Sequence, residues 1–229
     1  MNPDRPPDRA AFTLVELAIV IGLAAILALL LLPLLGSARD RANATTCVSQ
    51  VRSIVIAILQ HAADHDGRLI SAWETPYTEE SYWANRLGPY LGHADPKERL
   101  GRDYLQCPTQ RAARAARGEA MPYGTYGVVY TGGPGSAPKP LFGMRKDSGR
   151  LANFRPNTML VGDALGLIYS PSVWRLDNED KTSSKKHAAP YNQAAFPHND
   201  GMVSGFVDGS VRLMTLEEWK NGAAELKLQ

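Results

Sequence analysis

The run AFTLVELAIVIGLAAILALLLLPLL, Ala11 to Leu35, decides how the rest of the chain has to be read. From Leu17 to Leu35, 19 residues, no side chain carries a charge or a hydrogen-bonding group. At about 1.5 Å per residue, a helix of that length approaches the roughly 30 Å hydrocarbon core of a bilayer. Thirteen of the 19 are Leu, Ile or Val, and at about 0.3–0.6 kcal/mol each they favour insertion by on the order of 4–8 kcal/mol. Glu16, at the edge of the run, opposes this by roughly 2–3 kcal/mol at the bilayer centre and by less toward the surface. Insertion wins, and the carboxylate is left needing a partner.

Working outward, residues 1–11 hold three Pro, two Asp and two Arg. They form an electrically balanced leader without a helix or strand pattern. Arg39 and Arg41 flank the other end of the run, so positive charge does not orient the span. Small residues at Gly36-Ser37-Ala38 suit a secretory cleavage site, but the apolar run exceeds the 7–15 residues of such signals and the leader lacks net positive charge. Beyond Pro33 the helix is expected to continue with a mild kink, since no turn signal appears before Asp66-Gly67. Val48, Val51, Val55, Ile58 and Ala62 recur at steps of three or four, with Cys47 and Ile54 on the same side, a stripe suited to packing on a sheet.

Phe12-Thr13-Leu14-Val15-Glu16-Leu17, the apolar helix behind it, and Pro33 twenty-one positions after the Phe resemble the N-terminal signature of type IV prepilins and type II secretion pseudopilins. The resemblance implies cleavage between Ala11 and Phe12 by a prepilin peptidase on the cytoplasmic face, methylation of the new amine, and pairing of Glu16 with such an amine during assembly. Ala11 departs from the Gly usual before the cut; as the next smallest residue, it implies slower processing. A second stretch, Phe196 to Met214, contains His198, nine residues, then Asp208-Gly209. This H-x9-DG spacing is similar to the C-terminal motif of a bacterial branch of prepilin-like proteins, as are Cys47 on the helix, Cys107-Pro108, and a strand ending in Asp163.

Taken as residues, MVSGFVDGSVRLM reads as a hairpin around a type I′ turn at Asp208-Gly209. The two cysteines, Cys47 and Cys107, form an even count that invites a disulfide in an oxidising compartment, the alternative being two buried thiols. Secretion pseudopilins commonly hold calcium in a C-terminal loop, and Asp163, Asn199, Asp200 and Asp208 offer oxygen donors here. No spacing matches an EF-hand, which weighs against calcium; it is the one candidate ion, and no cofactor is otherwise expected. His61 and His65, spaced i, i+4, are expected to be the polar last turn of the long helix rather than a metal pair.

The remaining segments fit a headpiece. EESYWANRL (79–87) suits a short helix stopped by Gly88-Pro89, with Trp83 and Leu87 inward. Trp73, Trp83 and Tyr90 are expected to close the core. Arg111, Arg114 and Arg117 in QRAARAARG lack interleaved aromatics and read as a solvated helix face, and a net charge of +2 gives no further reason to expect nucleic acid. Strand-like runs fall at 125–131, 141–145, 158–162 and 167–170, with long polar loops at 132–140 and 175–190. Thr215-x-x-Glu218 reads as a capping box opening a short helix that carries Trp219. No GxSxG, HExxH or phosphate-loop pattern is present, so no enzyme is expected.

The expected protein is α+β and pilin-like: a leader (1–11), a transmembrane and assembly helix (12–36), its amphipathic continuation (37–66), and an antiparallel-sheet headpiece (67–229) with a hairpin at 202–214. The expected function is structural, a subunit of a type IV pilus or type II secretion pseudopilus that starts in the inner membrane with its headpiece outside the cytoplasm. Its partners would be the peptidase, the membrane and other pilin helices. The competing reading is a membrane-tethered binding or sorting module that never polymerises.

Overall fold

A computed structural model describes residues 13–72, 74, 81–92, 104–119, 124–130, 142, 148–164, 172–175, 196–198, 201–215 and 217–218. The fold is α+β: a long N-terminal helix, α1 (Leu14–Asp64), then α2 (Trp83–Arg86), α3 (Pro108–Ala116) and strands β1 (Tyr126–Tyr130), β2 (Met159–Asp163), β3 (Ser172–Arg175), β4 (Gly201–Phe206) and β5 (Val211–Thr215). The chain divides into two units at Arg41 and Ala42. Ala11, Phe12, Asn199, Asp200, Trp73, Trp219, the expected strand 167–170 and most of 141–145 lie outside the described residues.

α1 starts on a capping box. Thr13 donates to Glu16 Oε2 from its backbone N–H (2.9 Å) and its hydroxyl (2.8 Å), while the Glu16 N–H returns a bond to Thr13 Oγ1 (3.3 Å). Helical structure is continuous through Pro33. It stops where Asp66 (φ 53°) and Gly67 (φ 75°) turn left-handed and the Gly67 N–H reaches back to the Ala62 carbonyl at 2.7 Å, the six-to-one closure of a Schellman cap.

The helix meets two environments. Leu14, Val15, Leu17, Ile19, Val20, Ile21, Leu23, Ile26, Leu27, Leu29 and Leu30 are all exposed, whereas Cys47, Val51, Ile54, Val55, Ile58 and Ala62 are wholly buried in the headpiece core. Residues Ala38–Asp64 are long and apolar enough to cross a membrane by length and composition, and the described residues Leu14–Leu30 are apolar as well. The buried stripe in the first of these marks a helix that serves as a protein core.

The sheet has the order β3-β1-β2-β4-β5. Four strands, β1, β2, β4 and β5, pair antiparallel as expected. The fifth, β3, pairs parallel with β1, Gly127 opposite Ser172 through Tyr130 opposite Arg175, so the sheet is mixed. Valines on α1 meet the sheet at Gly205: a Cβ there would collide with Val55 Cγ2 and lie 3.2 Å from Val51 Cγ1. Tyr126 adds a polar tie by donating to Gln50 Oε1 at 2.6 Å.

The β4–β5 hairpin forms, pairing Gly201 with Thr215 through Gly205 with Val211. Its turn differs from type I′, which needs two left-handed residues. Only Gly209 is left-handed (φ 83°); Gly209 N–H bonds the Phe206 carbonyl (3.0 Å) and Asp208 Oδ1 takes the Ser210 N–H (2.9 Å). The tip is tied down by Val207 N–H to the Thr158 carbonyl and Asp208 N–H to the Pro156 carbonyl, both 2.9 Å. In the short helix α2, Trp83 is buried beside Leu87, as expected. The helix stops ahead of Gly88-Pro89, as expected, and Gly88–Leu91 follow as a 3-10 turn.

Candidate functional site

Four side chains from separate segments converge where α1 crosses the sheet: Cys47 on α1, Cys107 just ahead of α3, Asp163 at the end of β2, and His198 ahead of β4. His198 is 7% exposed and the other three are 0% exposed. Pro108 at the first position of α3 holds Cys107 extended (φ −60°, ψ 121°), as a proline does to its predecessor. The Cys107 N–H then donates to Thr125 Oγ1 at 2.6 Å. His198 is fixed by a two-way backbone bridge with Gly201, at 3.0 and 2.9 Å. That approach requires glycine, because a Cβ at 201 would lie 2.9 Å from the His198 carbonyl oxygen.

His198 Nε2 is the centre of the cluster. It lies 3.4 Å from Cys107 Sγ and 3.5 Å from Asp163 Oδ2. One donor atom each from Cys47, Cys107 and His198 falls within 4.8 Å of the other two. His198 Nδ1 stands 3.4 Å from Thr109 Oγ1. Asp163 Oδ2 accepts the Val203 N–H at 2.7 Å, and Oδ1 accepts Gln110 Nε2 at 3.4 Å.

Burial acts to lower the His198 pKa, but the Asp163 carboxylate and the Cys107 sulfur outweigh it and hold the imidazole up at about 9. Burial pushes Asp163 upward against the donors aimed at it. The rise at His198 governs the pair, since a carboxylate with donors on both oxygens is a well-supported anion. The Cys107 thiol is pushed up by the neighbouring Cys47 thiol first and by burial second.

Both cysteines are free thiols. Of the two readings left open, a bridge or two buried thiols, the structure has the second: the sulfurs stand near one another unbonded, with His198 contacting the Cys107 sulfur. Of the calcium donors, only Asp163 and Asp208 are among the described residues, and these two stand apart: Asp163 closes β2, whereas Asp208 is bonded beside Pro156 ahead of its start. That separation is roughly 13 Å of extended strand. For the same reason His198 and Asp208-Gly209 occupy opposite ends of β4. The H-x9-DG spacing measures one strand, from the buried cluster to the hairpin turn.

His61 and His65 stack at 4.0 Å, 6° from parallel, with His65 Nδ1 taken up by the His61 carbonyl at 2.8 Å. Parallel stacked rings do not converge their nitrogens on an ion. Arg114 and Arg117 pair with Glu119 at 3.6 and 2.6 Å on an otherwise exposed helix, in keeping with a solvated face.

The sequence singled out Cys47 with Cys107 as a possible bridge and all four residues through the resemblance, but not the convergence of His198 and Asp163 on the two sulfurs. Cys107 and His198 are 91 residues apart, and no spacing rule links them. Thr109, Gln110 and Thr125 carried no signal at all. The Thr13-x-x-Glu16 box did carry one, the same pattern as Thr215-x-x-Glu218, which also closes, with Thr215 N–H to Glu218 Oε2 at 2.8 Å. No known protein family, curated protein or solved structure matches the chain.

Proposed function

We propose that this chain is a pilin-type structural subunit, anchored by the first half of α1 and assembled through that half into a filament. The observation that carries the reading is the change of environment along one continuous helix: exposed Leu, Ile and Val to Leu30, then a stripe from Cys47 to Ala62 sealed in the core. A segment of the first kind is stable only in lipid or among other apolar helices. The leader, the Ala11–Phe12 cut and the H-x9-DG motif enter as the resemblance implies them. The Cys107 thiol, buried and pushed upward, makes a poor nucleophile and weighs against a cysteine-based enzyme.

Glu16 supplies register. Both Thr13 bonds fall on Oε2, and a carboxylate with about four acceptor positions keeps capacity for a neighbour's Phe12 amine. The capping box sharpens the test. Glu16→Ala removes both the cap and the charge, whereas Glu16→Gln keeps a cap-competent side chain and removes only the charge.

The experiment is to locate the processed chain after shearing cells. Wild type is expected in the sheared filament fraction; Glu16→Gln is expected to insert normally but to reduce that fraction at least tenfold. A wild-type chain confined to the membrane fraction would instead identify a tethered module, and full filament yield from Glu16→Gln would remove the charge-pairing mechanism.

A further inference from the structure

We propose that Cys47, Cys107, His198 and Asp163 form a structural site for one zinc-class divalent ion that clamps the core half of α1 to the sheet. The donor set is two sulfurs, one imidazole and one carboxylate, which suits zinc and is too soft for calcium or magnesium. The proposal stands apart from filament assembly, because every ligand lies in the headpiece unit.

The Asp163 distance favours a shared ion over a direct pair. A buried imidazolium–carboxylate pair closes to about 2.7–2.9 Å, yet His198 Nε2 stands 3.5 Å from Asp163 Oδ2; its 3.4 Å to Cys107 Sγ suits a hydrogen bond and a shared ion alike. Around a tetrahedral ion with bonds of about 2.0–2.3 Å, neighbouring ligand atoms sit roughly 3.4–3.7 Å apart. The third donor, Cys47, lies within 4.8 Å of the other two, so closure takes about 1 Å.

The surrounding residues fit a metal's supporting shell. Thr109 Oγ1 faces His198 Nδ1, so a proton on Nδ1 leaves Nε2 free as the ligand, the arrangement that ligating histidines usually adopt. Val203 and Gln110 hold the Asp163 carboxylate from its other sides. Binding releases three protons to solvent, one from each thiol and one from His198 Nε2, and leaves two thiolates, a neutral imidazole and a carboxylate around a dication. The residual negative charge faces the Val203 N–H.

The test uses the full chain, purified in detergent from zinc-supplemented cells. Elemental analysis is expected to give about one zinc per chain, both thiols becoming alkylatable only after chelation and denaturation. Cobalt added to the chelator-stripped chain is expected to give a thiolate-to-cobalt charge-transfer band. Thr109→Val is expected to weaken zinc about 10–100-fold, and Cys47→Ser to abolish the cobalt band. Zinc at background in a chain two protons short of its reduced mass would mean a disulfide and overturn the proposal. Two free thiols without a cobalt band would overturn it equally. The cobalt titration of wild type decides even where a ligand variant fails to fold.

Discussion

Gly205 is the residue at which helix and sheet leave no room for a methyl group, because Val55 and Val51 occupy the position of its missing Cβ. Gly205→Ala is therefore expected to destabilise the headpiece by about 1–3 kcal/mol, as overpacked cores do, read as a lower denaturant midpoint with unchanged slope. His61 contributes acid sensitivity. Burial, then the adjacent His65 and Arg86, lower its pKa from 6.5 to about 4. Between those values the unfolded chain binds a proton that the native His61 refuses, so stability falls as pH drops through that window. Thermal melts from pH 7 to pH 4 are expected to show the decline, and His61→Gln to flatten it. Neither residue was legible beforehand: a glycine in a strand and a histidine in a last turn reveal their neighbours only once the chain has folded.

Among the elements, α1 was the most legible, since its composition and three-to-four periodicity are local properties, and so was its stop at Asp66-Gly67. The cap there holds Asp66 left-handed at 53°, a conformation that costs a residue with a Cβ more than glycine. Asp66→Gly is expected to stabilise by up to about 1 kcal/mol, measured as a small rise in melting temperature. The antiparallel strands were largely found because alternating β-branched runs bounded by turn residues also declare themselves locally. By contrast, β3 was missed: SVWR is only four residues long, and its parallel pairing with β1 depends on a crossover that no short pattern encodes. The hairpin was read correctly but its turn was not. The DG signal fixes a reversal, while of the two only Gly209 is left-handed and the Asp208 carboxylate accepts the Ser210 N–H.

For the whole molecule, the sequence reached the division of labour along α1 but not the Cys47, Cys107, His198 and Asp163 cluster, whose members meet only through tertiary packing. Along one helix, apolar side chains from Leu14 to Leu30 are exposed, whereas those from Cys47 to Ala62 form the core of a folded headpiece. If the first half is a pilin-type assembly segment, Glu16 passes from a self-made cap to a pairing between subunits, and the apolar surface from Leu14 to Leu30 passes from lipid to sister helices. That transfer begins with a cut ahead of Phe12. The N-terminal sequence and mass of the mature protein test it most directly. A chain that starts at Phe12 with a methylated amine is expected; a start at Arg39, or an intact Met1 in the assembled or secreted form, would contradict pilin-type processing.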